Sequence, residues 1–289
     1  MKHRRIYSAG ILIFCLIVIA TVLILFFQQE SQVDMSHSVS ITPLKEVLVK
    51  GGSIPKSKRL FFAHMSVGYN ILDGIKPAAQ MVNLDLPIIQ KTADPTQMTE
   101  GGLYHTEVGH NCNPDAKIAS FKQLMNDQAS SLPDAAMMKF CYVDINESTD
   151  VDRLFESYRS MITDLEQAYP NVTFLHCTVP LTSGPVSLKQ QIKSTLKSLL
   201  GRNRSIETNA KRHALNEKIR TEYPANRIFD IALFESTDSA GHPSYSMYQN
   251  QQIPVMLTEY TTDGGHLNEA GRQRLGEQFL VFWVTALKE

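Results

Sequence analysis

The chain is short of several signals that mark large protein classes. Lysine plus arginine (28) nearly balances aspartate plus glutamate (29), for a formal net charge of −1 over 289 residues. Nucleic-acid-binding surfaces show as a basic excess or stripe, so the totals give no electrostatic case for nucleic acid as a partner. Cysteine is scarce: four residues and no C-x-x-C pair, which removes support for a zinc ribbon. Cys112, Cys141 and Cys177 lie outside the N-terminal apolar run, an odd number at wide spacing. One disulfide with one free thiol is open in an oxidising compartment. Cys141 and Cys177 each sit in an apolar, strand-like run and read as buried free thiols. There is no G-x-G-x-x-G and no G-x-x-x-x-G-K-[ST], so no cofactor is expected. No internal repeat and no low-complexity block occurs.

Charge is missing altogether from residues 6–27, IYSAGILIFCLIVIATVLILFF. At about 1.5 Å per residue this run reaches roughly 33 Å, enough to cross a hydrocarbon core of about 30 Å. Lys2, Arg4 and Arg5 precede it and hold that end in the cytoplasm. A cleaved signal peptide is the alternative, but its apolar region is shorter, about 7–15 residues, and ends at small residues. Here the run ends FFQQESQ. Phe14 before Cys15 disfavours a lipoprotein. The expected organisation is a cytoplasmic tail (1–5), an uncleaved transmembrane signal anchor (6–27), a polar tether (28–57) and an extracytoplasmic domain (58–289). That domain, periplasmic or extracellular, is long enough for a sizeable core.

From Arg59 onward short apolar runs alternate with longer amphipathic ones. RLFFAH (59–64), LPIIQKT (86–92), AMMKFCYVD (136–144), NVTFLHCTVPL (171–181) and RIFDIALFES (227–236) read as strands. Residues 69–81, 115–131, 151–170, 187–200, 208–223 and 267–287 read as helices, with Thr149 and Asp150 as capping candidates for the third. This alternation predicts an α/β fold with a mainly parallel sheet. In such sheets ligands bind outside the carboxyl ends of the strands. The places so marked are HMS after the first strand, Asp144 and Asn146 after the third, and the loop TTDGGHLNEAG before the last helix.

In that loop Asp263 and His266 stand three apart, joined by Gly264 and Gly265. The glycines permit a tight turn that returns the carboxylate onto the imidazole. An Asp bonded to one imidazole nitrogen fixes the tautomer and leaves the other nitrogen free as a base. The plain reading is a helix-capping turn. Ser66, in FFAHMSVGYN, has the same two readings: serines in turns usually cap helices.

The chain order Ser…Asp…His, with the serine after the opening strand and D-x-x-H-L-N-x-x-G before the last helix, resembles the SGNH or GDSL hydrolase superfamily. The resemblance covers most of residues 58–289. It implies a three-layer αβα, flavodoxin-like domain and acyl transfer with Ser66 as nucleophile, His266 as base and Asp263 orienting His266. It also implies Gly109, in YHTEVGHNCNPD, as an N–H donor to the oxyanion. The sequence departs from the family pattern twice. His64-Met65-Ser66 stands where the family has Gly-Asp-Ser, and Cys141-Tyr142-Val143-Asp144 stands for Gly-x-Asn-Asp. Val143 thus replaces an oxyanion donor, and Asn111 and Asn146 are the candidates to substitute for it. Losing one such donor costs about 10²–10³ in turnover.

His64 carries three readings: a satisfied histidine at a strand end, a site residue touching substrate, or a metal ligand with His105, His110 and Cys112. The spacing of the last set suits no common site, so no metal is expected. The resemblance implies a serine esterase acting on a small ester or an acylated envelope or secreted glycan. Two alternatives share the fold: a catalytically degenerate domain that binds a glycan or scaffolds a complex, and an O-acyltransferase with the same residues. Oligomeric state is left open.

Overall fold

Strand β1 (Arg59–His64) is the axis of the domain. Its sequence is apolar on both faces, as a strand covered by two layers must be. It pairs in parallel with β3 (Gly102–Glu107) on one side and β4 (Ala135–Met138) on the other. With β2 (Ile88–Gln90), β5 (Thr173–Cys177) and β6 (Ile228–Phe229) it forms a six-stranded parallel sheet in the order β2-β3-β1-β4-β5-β6. Without the short edge strand β2, the other five run 2-1-3-4-5 when numbered among themselves, the flavodoxin-like order.

The computed structural model describes residues 41–50, 57–90, 100–127, 131–184 and 204–287. The expected anchor (6–27), most of the tether and the helix expected at 187–200 lie outside them. Among the described residues no helix is long and apolar enough to cross a membrane.

Alternate residues of β1 feed two cores. Leu60 and Phe62 pack with α2 (Val67–Met81), α6 (Ile231–Ser236) and α7 (Glu269–Ala286). Phe61 and Ala63 pack with α3 (Pro114–Asp127), α4 (Val151–Ala168) and α5 (Arg204–Glu222). The result is a three-layer α/β sandwich. Helix α1 (Leu44–Val49), within the expected tether, belongs to this unit, because Leu44 is buried and its N–H donates to Glu277 Oε1 at 2.9 Å. A two-stranded antiparallel hairpin of β7 (Tyr245–Tyr248) and β8 (Gln251–Pro254) stands apart from the main sheet.

Of the expected strands only 59–64 fills its run; 86–92 and 171–181 are strand at Ile88–Gln90 and Thr173–Cys177, and two others end early for a local reason. The 136–144 run leaves the sheet at Met138, and Tyr142–Asp144 form a 3-10 turn. The Asp144 carboxylate captures the Cys141 N–H at 2.6 Å, which bends the chain away. The 227–236 run is a strand only at Ile228–Phe229, and from Ile231 it is α6. Asp230 caps α6 by accepting from the Leu233 N–H at 3.1 Å.

Helices α2 and α7 lie directly against one another. A Cβ on Gly276 would collide with the backbone of Gly74 and Ile75, and one on Gly74 with the Arg272 carbonyl. Leu267 N–H donates to the buried Asn70 Oδ1 at 3.1 Å, and Arg272 Nη1 meets Asp73 Oδ2 at 3.2 Å. This contact matters to the site because Ser66 precedes α2 and His266 precedes α7.

Candidate active site

The chain moves from β1 to β3 on one side and then crosses to β4 on the other. The strand order reverses between β1 and β4, and it is at the carboxyl ends of strands at such a point that these folds place their ligands. Ser66 stands there, at φ 53° and ψ −107°. For a non-glycine residue this is a strained conformation, of order 1–3 kcal/mol. The turn is held by Gly68 N–H donating to the Met65 carbonyl (3.0 Å) and Tyr69 N–H to the Ser66 carbonyl (2.9 Å). A sharp strand-to-helix turn of this kind lifts the side chain off the sheet. Ser66 is the N-cap residue of α2, yet its hydroxyl makes no cap hydrogen bond. Its Oγ lies 2.7 Å from His266 Nε2 instead.

His266 is held by its own loop. Asp263 Oδ1 accepts the N–H groups of Gly265 and His266, each at 2.8 Å, while Oδ2 lies 2.7 Å from His266 Nδ1. Thr261 Oγ1 donates to the His266 carbonyl (2.7 Å) and accepts the Gly264 N–H (2.9 Å). Burial alone would raise the Asp263 pKa. The Gly265 and His266 N–H groups and the imidazole outweigh it and hold the carboxyl well below the usual range. An ionised carboxylate only accepts. His266 Nδ1 therefore carries the proton, and Nε2 offers its lone pair to the Ser66 hydroxyl. The three residues named from the sequence form one unbroken hydrogen-bonded chain.

No family model matches the chain, and no curated protein does. Solved structures similar in fold include a GDSL-like lipase from Bacteroides thetaiotaomicron, at TM-score 0.48 and 12% identity over 84% of this chain and 98% of that one. An acetyl xylan esterase follows at TM-score 0.44 and 14% identity, over 77% of this chain and 98% of that one. The periplasmic domain of the lipopolysaccharide acetyltransferase of Salmonella ser. Paratyphi A gives TM-score 0.39 and 13% identity, over 85% of this chain and 90% of that one.

The remaining expected residues fall into different places. His64 is fully buried beneath the turn, not on a surface. A Cβ on Gly68 would strike its ring, so the H-x-S-V-G string is one packing unit: the imidazole fills the space the glycine leaves. His64 Nε2 pairs with His105 Nδ1 at 3.2 Å. Burial first, then the charges of Lys139 and His105, push the His64 pKa down to about 2, so the ring is neutral. Among the described residues no group of His, Cys, Asp and Glu could hold a metal. Cys112, Cys141 and Cys177 are free thiols, the last two buried.

Gly109 has φ 53°, and a Cβ there would lie 2.8 Å from the Lys117 backbone, so only glycine fits both conformation and space. It follows Val108, whose N–H donates to the His64 carbonyl at 3.2 Å, which brings this loop beside the serine turn. Asn111 Oδ1 accepts from Lys117 Nζ at 3.2 Å. The same ammonium meets Asp144 Oδ2 at 2.6 Å in a fully buried ion pair. Asn111 is exposed; the buried cation takes its oxygen and leaves its NH₂ outward. Asn146 is engaged otherwise: its Oδ1 accepts from Ser148 N and Oγ at 2.9 and 2.7 Å, closing a local turn.

Two neighbours of the site carry no sequence signal. Tyr142 sets its ring edge-on to the His266 imidazole, with centroids 5.7 Å apart. Arg212, buried in α5, donates through Nε to the Tyr142 carbonyl at 2.9 Å.

Proposed function

We propose that this protein is a membrane-anchored, extracytoplasmic serine esterase that cleaves carboxyl esters, with acylated glycans as the substrate class. The observation that carries the reading is the chain of two 2.7 Å hydrogen bonds from Ser66 through His266 to Asp263. Ser66 Oγ attacks the ester carbonyl while His266 Nε2 takes its proton. The N–H groups of Ser66 and Gly109, neither bonded to another described residue, are assigned to the developing oxyanion by the resemblance. The Asn111 amide supplies the donor missing at Val143. The intermediate collapses as His266 returns the proton to the leaving alcohol. Water, deprotonated by the same imidazole, then attacks the acyl-serine, and His266 gives that proton to Ser66 Oγ as the C–O bond breaks and the acid leaves. Asp263 keeps the imidazole in the required tautomer throughout. The uncharged run 6–27 behind Lys2, Arg4 and Arg5 supports the anchor and the outside location.

The test uses the full-length protein in detergent with a fluorophosphonate probe and an acetylated p-nitrophenol. Wild type takes up the probe and releases p-nitrophenol; Ser66→Ala does neither. An unlabelled wild type, or Ser66→Ala labelled as well as wild type, ends the serine-hydrolase reading. Labelling with acyl transfer to a sugar in preference to water converts it to an acyltransferase. Protease added to intact cells removes the domain if it lies outside; full protection refutes the location.

A further inference from the structure

We propose that Tyr142 and Arg212 form a buttress that holds the Asp263/His266 loop in its working geometry; this rests on the reading of Ser66, His266 and Asp263 as a catalytic set. The loop's own hydrogen bonds set its shape, while its place against the rest of the domain rests on contacts from outside it. The Asp263 and His266 side chains are 55% and 46% exposed, so their own burial fixes them weakly. Behind them stands the Tyr142 ring. A Cβ on Gly265 would lie 2.5 Å from the Tyr142 Cζ and 2.7 Å from its hydroxyl, so the loop backbone rests on the phenol tip.

Arg212 fixes that ring. Its guanidinium lies over the ring at 5.8 Å from the centroid, and its Nε holds the Tyr142 carbonyl. Its Nη1 donates to Thr182 Oγ1 at 3.0 Å and to Asn209 Oδ1. The next residue after Thr182, Ser183, donates its N–H to the Gly264 carbonyl at 3.0 Å. One buried cation therefore reaches the loop by two routes, through Tyr142 to Gly265 and through Thr182 and Ser183 to Gly264. No carboxylate forms an ion pair with it among the described residues. Burial draws the Arg212 pKa down to about 10 against the opposing charges of Glu235 and Tyr142. Among the described residues the hydrogen bonds of this buried guanidinium all go to neutral acceptors, a costly arrangement, and what it holds in place are these two loops.

Both are positioning residues, since neither meets the reacting atoms. The variants are Tyr142→Phe, Tyr142→Leu, Arg212→Gln and the Leu/Gln double, all in the full-length protein. The readouts are kcat and KM on the p-nitrophenyl ester, and the imidazole nitrogen-15 shifts of His266, which report the Nδ1–H tautomer. Tyr142→Phe keeps the ring and stays within about threefold of wild type. Tyr142→Leu and Arg212→Gln lose about 10- to 100-fold in kcat, as a displacement of about 1 Å does, with KM within about twofold. Each also loses the pure Nδ1–H signature. The double is no more than about threefold worse than the worse single, because both act through one loop. Tyr142→Leu with wild-type kcat and an unchanged tautomer overturns the proposal, as does a double that multiplies the two losses. A wild type inert to ester and probe whose His266 tautomer is lost in Tyr142→Leu keeps the buttress and removes the catalytic reading.

Discussion

Gly276→Ala tests whether the packing of α2 on α7 sets the distance between Ser66 and His266. The added methyl would meet the Gly74 and Ile75 backbone far inside normal contact. To reach ordinary contact at about 3.5 Å, the helices must part by roughly 1 Å or more. Alanine gains about 0.5–1 kcal/mol in helix propensity, and a clash this deep costs the upper part of the overpacking range, about 2–3 kcal/mol, leaving a net loss of about 1–2.5 kcal/mol. For a domain of this size that lowers Tm by about 2–10 °C. Activity suffers more. The Ser66 to His266 contact is 2.7 Å, and an extra 1 Å takes it beyond hydrogen-bond range, a loss on the order of 10² in kcat. Thermal unfolding and ester hydrolysis measure the two effects separately. Gln273→Ala, at an exposed position of α7, is the control and stays within about 0.5 kcal/mol. Wild-type stability in Gly276→Ala would refute the packing. A destabilised variant with full turnover would refute the link from packing to spacing.

Asp263→Asn keeps the fold but loses tautomer control, so kcat falls on the order of 10³–10⁴ in steady-state hydrolysis; a tenfold loss or less removes Asp263 from the orienting role. The depressed pKa of Asp263 adds stability that is present above its unfolded value of 3.8 and is lost as pH falls through the lower folded value. Glu235 behaves in the opposite sense: burial, against the Leu181 N–H and the charges of Lys139 and Arg212, raises its pKa to about 8 from 4.5. The folded state then holds a proton the unfolded state has released, so stability falls between about pH 4.5 and 8. The slope is at most about 1.4 kcal/mol per pH unit. Denaturant titrations of Glu235→Gln will lack that slope, and an identical slope in the variant rejects the assignment. Lys117→Met strands the buried Asp144 carboxylate and costs about 3–5 kcal/mol. Adding Asp144→Asn recovers part of this in chemical denaturation, and no recovery would mean the pair is not what was lost.

Much of the layering was legible because β1, β5, α4 and α7 carry strong apolar patterns bounded by polar residues. The misses have local causes. FCYV continues the apolar run of β4, but the Asp144 carboxylate takes the Cys141 N–H and turns the chain. IALFES is apolar without a clear period, and the cap at Asp230 decides for helix. Strand β3, GLYHTE, hides because half of it is polar, although His105 within it is buried beside His64. In the site, Ser66, Asp263 and His266 could be named because their order and the Asp-x-x-His spacing resemble the SGNH pattern; chemistry alone fixes no chain order and would not have picked out Ser66. His64 could be named but not placed; its meaning lies in the room left by Gly68. Tyr142 and Arg212 act through a ring face and a backbone carbonyl, contacts that leave no spacing in a sequence.

The hydrogen bond between Ser66 and His266 joins residues 200 positions apart, one before α2 and the other before α7. A growing chain therefore carries its serine for a long time without a base. At about 5–20 residues per second the wait is roughly 10–40 s. On the proposed reading the hydroxyl is until then no more reactive than any other serine. It gains its base only when α7 docks on α2 through Gly74 and Gly276. On that reading, activity reports that two helices of one layer, drawn from opposite ends of the domain, have met, and a cut that frees α7 silences the molecule.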